Sequence, residues 1–215
     1  AMLSAFGFTD AVVFASIEGF ISAAYVLYAM LLLSVYGVMA GLSITANEED
    51  NGILDIVMAL PVSRSRFVIE KSLAHVLMAL IIVLCCILLP AIAIILFNVD
   101  VDLPKVLLSI ASMYPGILLV IGVSAMLGTW AKRRTTAIGL SALFIVGSYF
   151  LNFLGGAASE TPAGMLQGLS YFYHTNGQNI ILGTYNPLES VILILVALIC
   201  MGLSVALFNR RDIGL

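Results

Sequence analysis

Five long apolar runs alternate with short polar connections along this chain. They extend from about Gly19 to Thr45, Ser72 to Phe97, Lys105 to Trp130, Thr136 to Leu154 and Leu188 to Phe208. A helix needs about 20 apolar residues to cross a bilayer, and each run supplies them. No period-2 alternation of apolar and polar positions is visible, so a closed barrel is not indicated and helices remain. The pattern predicts an all-α, polytopic membrane protein with residues 1–215 as one transmembrane domain.

Local signals set the ends of the spans. Asn186, Pro187 and Glu189 read as an N-cap, a first-turn proline and the reach-back acid of a capping box. Asp102 and Pro104 mark a similar start for the third span, and Pro90 is expected to kink the second. Gly37 and Gly41, continued by Thr45, line one face of the first span. Small residues four apart let helices approach closely, either within one bundle or across a dimer seam.

Two connections are long enough to carry structure. In residues 155–186, Thr161 and Pro162 are placed to start a short helix with Met165, Leu169 and Phe172 on one face. Tyr171, Phe172, Tyr173 and Tyr185 suit the headgroup boundary, so an interfacial or re-entrant helix is expected there. Asn176-Gly177 reads as a turn. The other connection, Ala46 to Lys71, is charged and amphipathic. Its Glu48, Glu49, Asp50, Asp55 and Glu70 are five of the chain's twelve acids. One or two short helices are expected there, with Gly52 ending the first span, Pro61 separating the helices and Ser63 capping the second. Its acids would be repelled by anionic lipid, so a protein surface explains the mixed charge better than headgroups do.

Composition agrees with the pattern. The chain is 62% hydrophobic and 10% charged, with a mean hydropathy of +1.14. Soluble domains carry about a quarter charged residues. No basic patch with interleaved aromatics suggests nucleic acid. Cys85, Cys86 and Cys200 sit in apolar runs without ligand spacing and read as buried apolar residues.

The bases give an orientation. Arg64, Arg66, Lys71, Lys132, Arg133, Arg134, Arg210 and Arg211 all fall on one side of a five-span topology, and only Lys105 falls on the other. The first side is therefore expected to be cytoplasmic, with the C-terminus inside. Ala1 then lies outside, and AMLSAFGFTD has neither the basic start nor the apolar core of a signal peptide. One further span ahead of Ala1 is expected.

Candidate chemistry is sparse. A phosphate-binding G-x-x-x-x-G-K-[ST] loop, an HExxH pair and a GxSxG elbow are all absent from the sequence. His75 and His174 fall on opposite faces. No ionisable residue sits deep in a span, as ion-coupled transport usually requires. Ser34, Tyr25, Tyr28, Tyr36 and Asn152 are the polar groups at depth, expected to bond helix to helix. Catalytic, cofactor and metal sites are not expected.

At Ala46–Lys71 the chain resembles the membrane-spanning permease subunits of type-2 ABC exporters. Those proteins carry two acids after a span, a Gly-Thr-Leu-like step, an apolar helix and then Leu-Pro-Val-Ser-Arg. Here the string reads Glu48-Glu49, Gly52-Ile53-Leu54 and Leu60-Pro61-Val62-Ser63-Arg64, with Ile53 where threonine is usual. Phe208, Arg210, Arg211 and Asp212 resemble the family's ending. The resemblance covers the whole chain, with the family's first span absent. It implies a six-span subunit in a prokaryotic cell membrane, paired with a second permease chain. Glu48, Glu49, Gly52, Ile53, Leu54, Pro61, Ser63 and Arg64 would couple each permease to a separate ATPase subunit that holds ATP and Mg. The cargo would be lipophilic or amphipathic. A stand-alone channel, scramblase or carrier is the alternative, as is a permease serving sensing or immunity.

Overall fold

In the computed structural model of the chain, residues 16–53, 62–131, 133–158, 161–175 and 177–210 are described. Five helices are long and apolar enough to cross a membrane: α1 (Ile17–Ser43), α3 (Arg64–Leu96), α4 (Leu103–Trp130), α5 (Arg134–Ala157) and α8 (Pro187–Arg210). Between α1 and α3 lies the five-residue α2 (Ala46–Asp50). Between α5 and α8 come a 3-10 helix (Pro162–Leu169), α6 (Tyr171–His174) and α7 (Gln178–Ile181). No strand occurs among the described residues. The protein is an all-α polytopic membrane protein.

α4 is the centre of the bundle. Its apolar window is 72% buried, against 39% for α1 and 17% for α3. Small residues let its neighbours reach its backbone. A Cβ added at Gly41 of α1 would lie 2.6 Å from the Ile121 carbonyl oxygen. One added at Gly122 of α4 would lie 2.7 Å from the Ala197 carbonyl oxygen of α8. One added at Gly37 would lie 2.8 Å from the Val120 side chain of α4. The glycine face of α1 thus packs within the bundle, against α4. Close backbone approach of this kind replaces the hydrophobic drive that lipid cannot provide.

α3 lies at the periphery and exposes Leu73, Leu77, Leu88, Leu89 and Ile92. An all-round apolar helix is stable in that position only when lipid or another membrane segment covers it. The helix continues through Pro90.

α3 also corrects the expected layout. Arg64–Lys71 is not a separate surface helix; it forms the first two turns of the 33-residue α3. Ser63 caps those turns, its Oγ accepting from the Arg66 amide at 3.4 Å. With no glycine or proline between Arg64 and Lys71, nothing interrupts the helix there. Asp102 caps α4 as expected, accepting from the Lys105 amide at 3.4 Å. The Asp102 amide in turn donates to Glu18 at the start of α1.

The outer connection departs from expectation as well. Met165 and Leu169 are strongly exposed whereas Phe172 is buried, so the three do not share a face. Ser170 separates them: its backbone is extended at ψ 128° and its side chain caps α6. Glu189 does not reach back to its own helix end. Its carboxylate instead meets His174 Nδ1 at 3.0 Å, while Asn186 Oδ1 accepts from the Leu188 amide at 3.1 Å. Asn176 of the expected turn lies outside the described residues.

Polar groups at depth mostly join helices. Ser34 Oγ lies 2.9 Å from the Tyr171 hydroxyl, and Tyr25 donates to the Cys86 carbonyl at 3.1 Å. Gln167 donates to Asn152 Oδ1 at 3.3 Å. Tyr28 is exposed and Tyr36 has no partner for its buried hydroxyl.

Candidate coupling surface

The acidic connection begins where α1 ends. A turn at Ile44–Thr45 breaks the helix, and Ala46–Asp50 resumes it as α2. Glu48 and Glu49 fall in its first turn, where carboxylates favour the positive end of the helix dipole. Gly52 ends α2 and not the first span. Its φ of +69° is open to glycine at little cost. Its amide donates to the Glu49 carbonyl at 3.1 Å, a C-terminal capping bond.

α2 is held from two sides. On one side Lys71 of α3 donates to Glu48 Oε1 and to the Ser43 carbonyl at 3.1 Å. The Lys71 ammonium also stands 5.1 Å from the Phe67 ring centre, within cation–π range. Phe67 stacks on Phe208 of α8 at 6.1 Å. On the other side Arg134, at the start of α5, donates to Asn47 Oδ1 at 2.7 Å and to Asp50 Oδ2 at 3.3 Å. A shift of α2 would therefore strain contacts to α3 and α5 at once.

The ground above α2 is fixed by hydroxyls. Thr129 Oγ1 of α4 lies 3.3 Å from Thr45 Oγ1 and 2.8 Å from Ser204 Oγ of α8. All three residues are buried. His75 Nε2 adds a contact from α3 to Ser43 Oγ at 2.7 Å. Beside α2 opens a cleft of about 490 Å³, lined by Glu49, Asp50, Arg133, Arg134 and Thr135 among others.

Of the residues singled out in the sequence, Glu48 and Glu49 share one turn, and Gly52 and Ile53 follow on an exposed edge. Ser63 and the half-buried Arg64 begin α3. Leu54 and Pro61 lie outside the described residues. Lys71 and Arg134, which hold α2, were read only as positive-side charges. Their acids lie 23 and 84 residues away, a pairing that spacing does not reveal. Thr129 and Ser204 carried no signal at all.

Lys71 of α3 and Arg134 of α5 converge on α2, and Ser65 and Asn209 join α3 to the end of α8 through a 2.8 Å hydrogen bond. One end of the bundle thus collects these bases, as the topology requires. Among the described residues no group of three or more metal-ligating side chains forms.

In a comparison with known families, a model described as the C-terminal domain of the multidrug efflux system permease Rv1217c aligns with residues 1–209. The chain belongs to that permease family. No curated protein and no solved structure matches it.

Proposed function

We propose that this efflux-permease domain belongs to an ATP-driven exporter and that α2 with the chain after it couples the spans to a separate ATPase subunit. The observation that carries this reading is the double hold on α2 by Lys71 and Arg134. A short acidic helix presented at the polar end of the bundle and tied to two spans can receive a push and pass it on. Gly52 and Ile53 are exposed just past its end, open to a partner surface. The resemblance of the Glu48-to-Arg64 string to the ABC exporter pattern supports the same reading.

In this account the partner holds ATP and Mg, and this chain contributes the path. Movement of α2 is transmitted through Lys71 to α3 and through Arg134 to α5, while the Thr45–Thr129–Ser204 cluster keeps α1, α4 and α8 together. A second permease unit completes the path, and the cargo is lipophilic or amphipathic. The cytoplasmic placement of α2 follows from the distribution of bases.

Efflux of a lipophilic fluorescent dye from cells carrying the full transporter tests this. Depleting ATP while the membrane potential is maintained should stop efflux, and an uncoupler with ATP maintained should not. The opposite pair of results would support an ion-coupled carrier instead.

A further inference from the structure

The outer connection contains a histidine–carboxylate contact that takes no part in the hold on α2. His174, the last residue of α6, faces acceptors with both ring nitrogens. Nδ1 lies 3.0 Å from Glu189 Oε2 on α8, and Nε2 lies 2.8 Å from the Gly168 carbonyl oxygen of the 3-10 helix. A neutral imidazole carries one N–H and one lone pair, so it can satisfy only one of these acceptors. The imidazolium donates to both.

This contact closes one edge of an apolar pocket of about 240 Å³, whose walls include Leu119, Phe144, Leu169, Tyr171 and Leu193. The opposite edge of the 3-10 helix is fastened without charge. Gln167 bonds Asn152 at 3.3 Å and packs where Gly155 leaves room. Ser148 on α5 holds the start of α6 through Ser170 Oγ at 3.0 Å and the Tyr171 amide at 3.1 Å. The segment is therefore anchored by neutral hydrogen bonds to α5 and by the His174–Glu189 contact to α8.

We propose that His174 is a proton-operated latch, closing the 3-10 helix over this pocket when protonated and releasing that edge when neutral. The latch is set by the medium on the face opposite the basic connections. If Nε2 keeps its proton for Gly168, the Nδ1 lone pair faces the Glu189 carboxylate and the two repel. Among the described residues that line the pocket, His174 and Glu189 are the only charge-bearing side chains. From α8 Glu189, Ile192 and Leu193 line the pocket with His174, and α6 offers Tyr171 in the pocket wall and Tyr173 edge-on at 5.2 Å. α4 and α5 offer Leu119 and Phe144. Both partners are about three-quarters withdrawn from solvent, with side chains 26% and 28% exposed, so the pair is screened less than a surface bridge.

Hydrogen–deuterium exchange of the peptide covering residues 162–174, in the full transporter, tests the latch. Rates are corrected for intrinsic chemistry and measured from about pH 5.5 to 8.5, the range in which histidines change charge. Protection in the unmodified protein should fall by roughly one to two orders of magnitude as pH rises, the loss of one charge-assisted bond. His174→Gln should show low protection at every pH, and His174→Lys, which keeps its charge, should remain protected throughout. Glu189→Gln, which keeps the cap of α8, should also flatten the profile. A pH-independent profile in the unmodified protein, or an undiminished pH response in His174→Gln or Glu189→Gln, would overturn the proposal.

Discussion

The Lys71 ammonium of α3 donates to the Glu48 carboxylate of α2, joining a five-residue acidic helix to a 33-residue span. The two side chains are 30% and 21% exposed, so the contact is partly shielded from water. Glu48→Gln should reduce cargo-stimulated ATP hydrolysis by the assembled transporter several-fold while membrane insertion stays intact. The exchange Glu48→Lys with Lys71→Glu should recover part of it. A thermal-unfolding series should place the single-mutant cost at about 1.5–3 kcal/mol, the range for a hydrogen bond to a charged group.

Arg134 and Asp50 form the weaker hold. Their side chains are 44% and 52% exposed, and pairs that open to water contribute about 0.2–1 kcal/mol. Asp50→Asn should therefore barely change stability. Any loss of coupling it causes should shrink at high ionic strength, where the native pair is already screened. Melting temperature and ATP hydrolysis by the assembled transporter, each measured at low and high salt, check the two statements in turn.

Gly41→Leu should separate α1 from α4. Its Cβ alone would come 2.6 Å from the Ile121 carbonyl oxygen and 2.8 Å from the Ala125 amide nitrogen, and backbone cannot step aside as a side chain can. Overpacking typically costs about 1–3 kcal/mol, and this site has less give than most. Lower melting temperature and poor recovery after purification are expected, with Gly202→Leu, where no neighbour lies within 4 Å, as the tolerant control.

Acid should weaken the opposite end of the bundle through Asp102. Its carboxyl is held below the usual carboxylate range by a hydrogen bond from Lys105, whose ammonium lies 3.0 Å away. Because the folded value is depressed, the contribution is present above the unfolded value of about 4 and is lost as pH falls through the folded one. Melting temperature measured from pH 6 to about pH 3 should decline less steeply in Asp102→Asn than in the unmodified protein.

Much of this architecture was legible because lipid imposes simple demands. Apolar runs of membrane length gave the five spans, and Ser63, Asp102 and Asn186 cap helices where the sequence placed them. Tertiary choices were less legible. Arg64–Lys71 looked like a separate helix because its polar composition contrasts with the run beyond Ser72, yet the backbone runs straight through. Glu189 fits a capping box by spacing, but His174 from another segment takes its carboxylate. The hold on α2 depends on Lys71 and Arg134 arriving from two different spans, which local periodicity does not encode. Met165 and Leu169 end in the 3-10 helix Pro162–Leu169 while Phe172 belongs to α6, because the extended backbone of Ser170 breaks the run between them.

The central claim is that α2 meets an ATP-hydrolysing partner. The most direct measurement is purification of the tagged full transporter from its native membranes in mild detergent, with and without Glu49→Lys. That change reverses charge on the exposed side of α2 and leaves the Glu48–Lys71 contact in place. The account predicts a stoichiometric partner with a Walker A loop and ATP hydrolysis in the unmodified preparation, both lost or strongly reduced in the variant. A permease that purifies without any ATPase, or one whose ATPase remains bound and fully coupled in Glu49→Lys, would contradict it.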